Sequence, residues 1–172
     1  MAADCVIRPE RPGDRAAVFE VNRHAFGTTA EAKLVESLRP LADPLVSLVA
    51  ETGGRVVGHA LFTPVTVPGV EGYRQAMALG PLAVLPEFQR RGIGGRLIRA
   101  GLEACRALGQ GAVFLLGAPA YYQRFGFRPA AARDLHYKGP ELDPYFMVLE
   151  LTPGCLAGCS GQVRYLPPFE EV

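Results

Sequence analysis

The stretch Leu85–Gly109, LPEFQRRGIGGRLIRAGLEACRALG, decides how the rest of the chain is read. Arginines and glycines crowd its first half, and the remainder carries a helical pattern. Leu97, Ile98, Leu102, Cys105 and Leu108 share one face, Arg96, Arg99, Glu103 and Arg106 take the other, and Gly109 stands as the stop. Arg99 and Glu103 are spaced for an i, i+4 ion pair. The preceding residues 76–86, AMALGPLAVLP, suit a buried strand broken at the Gly80-Pro81 pair. Strand, glycine loop and helix therefore follow in order. A helix's first turn leaves amide N–H groups without intrahelical partners, at the positive end of its dipole, and glycine lets a ligand approach the backbone closely. This junction is built to hold an anion, a phosphate above all.

Outward from the loop, the remaining elements are short and alternate in type. Val6 and Ile7 begin a strand, and Asp14 is placed to cap a helix running to about Phe26. Thr28 and Glu31 have capping-box spacing ahead of a second helix whose apolar positions are Ala32, Leu34, Val35 and Leu38. After the break at Pro40 to Pro44, two strands join at ETGGRV, and the second, RVVGHALFTPVTV, is long. VPGVEGYR turns the chain back toward the glycine loop. Beyond the long helix, GAVFLLG reads as a buried strand, PAYYQR as a brief helix and YFMVLEL as a last strand, before a loop-like tail holding GQVRYLPPF. No internal repeat or low-complexity segment interrupts this order. The expectation is a mixed α/β fold in one domain over residues 1–172, with a core at about 6–151, a tail at 152–172 and a largely antiparallel first half.

Composition narrows the function classes. A net charge of +1 over 172 residues argues against a general polyanion binder, so no nucleic-acid partner is expected. All but two of the 18 basic residues are arginine, a bias given no functional weight. The opening MAADCVIRPERPGD has no apolar signal region and no window reaches membrane-span length, so a cytoplasmic protein without a membrane partner is expected. Of four cysteines only Cys155 and Cys159 are close, with no histidine or second pair beside them; free thiols are preferred and no metal is expected.

Three phosphate loops compete for the junction. A dinucleotide fingerprint starting at Gly92 meets Leu97 where its last glycine belongs, and a Walker loop lacks its G-K-[ST]. Gln89, Arg90, Arg91, Gly92, Ile93 and Gly94 instead match, position for position, the Q/R-x-x-G-x-G/A loop of the GNAT superfamily of N-acetyltransferases. LAVLPEFQRRGIG resembles that superfamily's strand-to-helix element, and YYQRFGF resembles its later Y-x-x-x-G-F element. With GHALFTPV and GPLAVLP, the chain is most similar to a branch of small bacterial GNAT proteins over about Val6 to Leu151. The resemblance implies the GNAT acyl-CoA N-acyltransferase fold, a mostly antiparallel sheet splayed at the cofactor site and flanked by helices. It also implies a cosubstrate, acetyl-CoA: the pyrophosphate would lie on the amides of Arg90 to Gly95, beside Gln89, and the pantetheine arm along Leu82, Ala83 and Val84, pairing as an added strand does.

The implied reaction is direct acetyl transfer to a primary amine in a ternary complex, so no cysteine nucleophile is needed and Cys105 reads as core. The backbone N–H of Leu82 is the candidate donor to the developing oxyanion. Tyr122, four residues before Gly126, falls where the superfamily commonly places its general acid, in contact with the cosubstrate; a phenol keeps its proton at neutral pH. Tyr121 is taken as pocket wall. The strands QAMALGPLAV and GAVFLLG lack the glutamate that often serves as base. His59 is the candidate in its place, against the alternative of a satisfied histidine inside a sheet. His24 and Glu31 lie in the helical region that borders the acceptor in the superfamily. The segments around Phe26 to Leu34 and Leu135 to Tyr145, expected to shape the acceptor site, do not favour a polycation over a small amine, an amino acid or a protein amino group. Homodimerisation is left open. The rival class is a non-catalytic coenzyme A-binding sensor, and a third is a metal or redox protein using Cys155 and Cys159.

Overall fold

The computed structural model describes residues 4–69 and 72–172; Val70 and Glu71, inside the expected turn VPGVEGYR, lie outside the described residues. In chain order the elements are β1 (Cys5–Pro9), α1 (Arg15–Phe26), α2 (Ala30–Leu38), β2 (Val46–Thr52), β3 (Arg55–Gly69), β4 (Gly72–Val84) and α3 (Ile93–Ala107). There follow β5 (Ala112–Leu116), α4 (Pro119–Tyr122), β6 (Arg128–Pro129), β7 (Leu135–His136), β8 (Phe146–Glu150) and β9 (Gly161–Gln162). Seven strands form one sheet in the order β1-β2-β3-β4-β5-β8-β6, and β7 pairs with β9. The first four strands are antiparallel neighbours, as expected. Among the described residues no helix is long and apolar enough to cross a membrane.

The sheet opens at its centre. β4 and β5 run parallel and pair only at Met77↔Val113 and Ala78↔Phe114, whereas β4 stays on β3 as far as Gly58↔Val84. From Leu79 to Val84 the β5-facing edge of β4 thus has no strand partner among the described residues. Within the same stretch the register slips, from Phe62↔Leu79 to Ala60↔Leu82. Gly80 and Pro81 together face the single residue Leu61, which is a β-bulge. The glycine-proline pair therefore bulges β4 instead of breaking it.

Helix α3 lies on the sheet through Leu97, Ile98, Leu102 and Cys105, all buried. It comes close because Gly101 carries no side chain: a Cβ there would collide with the ring of Phe62. Leu108 was expected on this face but is 51 % exposed, because it follows the helix as its C-cap. The expected Arg99–Glu103 pair does not form either. Glu103 bonds Arg106, and the Arg99 guanidinium lies 4.9 Å from the centre of the Phe125 ring. At the other end of the chain, Asp14 precedes α1 without a side-chain capping bond; its carboxylate accepts from the Arg11 amide at 2.7 Å and the Arg8 guanidinium at 2.7 and 3.0 Å.

Two apolar clusters result. The larger lies among β2, β3, β4 and helices α1 to α3, and includes the predicted Leu34, Val35 and Leu38. The smaller lies under the C-terminal third, where Phe114 stacks on Phe146 and Leu135, Tyr137 and Val163 are buried. The tail expected to be loop-like is part of this second core: β9 pairs with β7, Arg164 bridges to Thr66, and the Tyr165 ring packs on Tyr137 at 4.4 Å.

Candidate functional site

Leaving β4, the chain makes a short turn at Pro86–Phe88, passes through Arg90 and Gly92 at φ of 62° and 80°, and enters α3 at Ile93. Glycine takes the second left-handed position without strain. The first bond of the helix runs from the Arg96 N–H to the Gly92 carbonyl, 3.1 Å. The amides from Gly92 to Gly95 therefore precede any intrahelical donor and are free to bind an anion.

These amides border a cleft of about 590 Å³ whose lining includes Leu82, Val84, Gln89, Arg90, Gly92, Ile93, Gly94 and Gly95. Phe88, Arg99, Tyr121 and Arg124 complete it. Arg124 stacks on Tyr121 at 5.1 Å and on Phe125 at 5.6 Å, so two guanidinium groups of the cleft lining, Arg99 and Arg124, are held by aromatic faces, Arg99 beside Gly95. Sequence reasoning missed both. Arg99 was legible as the residue one turn beyond Gly95, Arg124 as an inner position of the Y-x-x-x-G-F element. Free helix-end amides, a glycine where a Cβ would press on the Tyr121 hydroxyl (Gly94, 3.1 Å) and spare arginines are a fitting donor set for a diphosphate.

Other predicted residues stand slightly apart. The Gln89 amide donates to the Val84 carbonyl at 2.9 Å and so ties the loop to β4. Arg91 stacks on Phe88 at 5.1 Å and lines a neighbouring cavity with Cys5 and Arg96. Ala83 is buried opposite His59 of β3; the Leu85 amide donates to Val57 of β3, so by the alternation of the strand the Ala83 main chain also turns to β3, and the open edge is left to Leu82 and Val84. Tyr122 stands beside Gly117, where a Cβ would strike its ring, edge-on to Tyr121 at 4.9 Å and Phe127 at 6.1 Å. Tyr121 lines the cleft; Tyr122, packed edge-on to it, is not among the lining residues. Burial pushes the Tyr122 phenol up to about 12, so it stays protonated.

His59 is not at the cleft. It is wholly buried in β3, with Nδ1 at 3.2 Å from the Asn22 amide and Nε2 at 2.9 Å from Ser47 Oγ. The Ser47 hydroxyl donates to Glu10 at 2.6 Å, and Glu10 in turn accepts two 2.6 Å bonds from Arg39. The chain of donors fixes a neutral imidazole with its proton on Nε2, and burial lowers the His59 pKa to about 4. This is the satisfied sheet histidine, held by residues of four other segments. His24 is exposed and pairs with Glu20, and Glu31, half-buried, accepts from the Thr28 hydroxyl. Cys155 donates to the Gly111 carbonyl at 3.0 Å, all four cysteines are free thiols, and no cluster of three His, Cys, Asp or Glu side chains occurs among the described residues.

A second cavity of about 350 Å³ opens where β4 and β5 part. Leu79, Gly80 and Leu116 from the two strands line it, together with Leu34, Tyr137, Lys138, Leu142, Tyr165, Phe169 and Val172. It draws on both segments singled out for the acceptor and on the tail, which sequence reasoning left out.

The family described as Acetyltransferase (GNAT) domain matches residues 6–130. The uncharacterized N-acetyltransferase YjhQ of Escherichia coli (strain K12) is 46% identical over 164 residues, covering 91% of this chain and 90% of that protein. The crystal structure of the GNAT family N-acetyltransferase YhbS from Escherichia coli, in complex with CoA, superposes with a TM-score of 0.91 at 36% identity, covering 99% of this chain and 94% of that one. A GNAT family acetyltransferase from Brucella melitensis in complex with acetyl-CoA gives a TM-score of 0.80 at 35% identity, covering 97% of this chain and 99% of that one. In sequence and in fold, over most of its length, the chain belongs to the GNAT family of N-acetyltransferases.

Proposed function

We propose that the protein transfers an acetyl group from acetyl-CoA directly to a primary amine, both bound at once, as one domain. The observation that carries this reading is the parting of β4 from β5. It leaves a strand edge for an amide-bearing arm, and that edge leads straight into the free amides of Gly92 to Gly95. Acetyl-CoA supplies an activated thioester carbonyl and a diphosphate by which to be held.

The chain's own groups then have distinct tasks. Gly92, Ile93, Gly94 and Gly95 bind the diphosphate through main-chain N–H groups, with Arg90, Arg99 and Arg124 adding charge. The edge of β4 at Leu82 and Val84 orients the arm, and the Leu82 N–H stabilises negative charge as it grows on the carbonyl oxygen. As the C–N bond forms and the C–S bond breaks, Tyr122 delivers its phenolic proton to the departing sulfur. The amine's surplus proton leaves to solvent, and the tyrosine is reprotonated from there. Positioning of two reactants supplies most of the acceleration.

A coenzyme A-binding sensor is the second reading, favoured by a cleft lining without a carboxylate and by the buried, neutral His59. Calorimetric titration with acetyl-CoA, followed by thiol release against a panel of amines, separates the two. Acceptor-dependent release supports the transferase; binding without release from any amine overturns it.

A further inference from the structure

Most of the cavity at the parting of β4 and β5 is made by residues beyond 130, where the match to the GNAT domain ends. Its place relative to the coenzyme cleft is set by one strand. Gly80 lines the cavity and Leu82 the cleft, two residues apart along β4. An amine seated against Gly80 would therefore lie close to a carbonyl held at Leu82.

The walls say what kind of amine. Leu34, Leu79 and Leu142 are aliphatic, and Tyr137, Tyr165 and Phe169 present rings packed on one another at 4.4 and 5.0 Å. Lys138 is the one charged side chain of the lining. Its ammonium is 5.2 Å from the centre of the Tyr137 ring and 3.7 Å from the Glu170 carboxylate, which stands outside the lining. At about 350 Å³ the cavity is near the small end of ligand pockets.

We infer that this cavity selects a small monoamine on an aromatic or branched apolar body, and that Lys138 is a specificity residue that turns away acceptors with a second cationic group. The inference rests on the transferase reading above. Apolar walls favour the body by removing it from water, and they disfavour a spare ammonium, which would meet Lys138 among aliphatic and aromatic side chains. The same surroundings favour the uncharged form of the reacting amine. That form is the nucleophile, and its abundance in the cavity lessens the need for the base that neither β4 nor β5 supplies.

Phenethylamine and spermidine are the probes. Each is titrated calorimetrically into protein saturated with coenzyme A, and each is turned over with acetyl-CoA while thiol release is followed. Phenethylamine is expected to bind about tenfold tighter or better, with the lower KM. In Lys138→Glu the KM ratio shifts about tenfold toward spermidine, a change of charge preference that a purely structural residue would not produce. Leu142→Trp fills the cavity and loses phenethylamine while keeping coenzyme A. Preference of the natural chain for spermidine, an unmoved ratio in Lys138→Glu, or full phenethylamine turnover in Leu142→Trp would each overturn the inference. Coenzyme A that binds while neither amine does also overturns it and leaves coenzyme binding standing. Failure of coenzyme A to bind counts against the proposed function instead, and titration of phenethylamine into the free protein then decides the cavity.

Discussion

The two hollows that share β4 are built by opposite means. The cleft at the glycine loop is mostly one continuous run, Leu82 to Arg99, and the groups we propose to bind the diphosphate are main-chain amides that any sequence able to make this turn would present. The cavity at the strand parting is assembled from side chains between Leu34 and Phe169, and its main chain contributes little. A site made of backbone is fixed by local conformation. A site made of side chains is fixed by everything that packs behind them, so the first can stay constant while the second changes its clientele.

Substitutions can break this contrast, starting where the effect is largest. Gly92→Glu puts a side chain on a left-handed residue and a negative charge at the helix end; coenzyme A affinity should fall roughly a hundredfold or more. Folding should weaken by only about 1–2 kcal/mol. Calorimetry beside thermal unfolding checks both, and retained affinity would remove the backbone site. Tyr122→Phe should cut kcat by about a hundredfold and leave coenzyme affinity nearly unchanged. Full activity in that variant would end its role as acid.

The buried chain through His59 tests an assembled construction by pH. The folded His59 pKa is near 4, below the ordinary 6.5, so the unfolded chain takes up the extra proton. Its contribution is fully present above 6.5 and declines as pH falls toward 4, by about 2 kcal/mol between pH 7 and 5. Denaturant unfolding of the natural chain and of His59→Gln should show that slope in the first and lose it in the second. The smallest effect belongs to Tyr165→Phe. The Tyr165 hydroxyl is buried with no hydrogen-bond partner among the described residues, so its removal should leave stability the same or raise it by up to about 1 kcal/mol. A clear loss would mean that the hydroxyl is bonded in solution.

The same contrast explains what could be read before the fold was known. Helices α1 to α3, the hairpin between Thr52 and Arg55 and the glycine loop follow from local periodicity and glycine placement and stand where expected, whereas Asp14 makes no capping bond and the N-cap of α2 is Thr29, not Thr28. Arg99 was assigned to Glu103 because helical spacing knows nothing of Phe125, which arrives from 26 residues further along. Tyr165 and Phe169 were passed over because their order comes from β7 and α2, not from their own neighbours. Gly80 and Pro81 were read as a break because local propensity does not reveal that β3 holds the strand on both sides of them.

That extra residue opposite Leu61 makes length, more than identity, the property β4 can least afford to alter. Side chains alternate along a strand, so deletion of Gly80 or Pro81 would exchange the orientations of Leu82, Ala83 and Val84. The small methyl of Ala83 would then face the cleft, and two larger side chains would be driven against the packed side. Gln89 to Gly94 would be untouched. A descendant carrying such a deletion would still display the family's loop to any comparison of motifs, yet would have lost the wall proposed to hold a coenzyme.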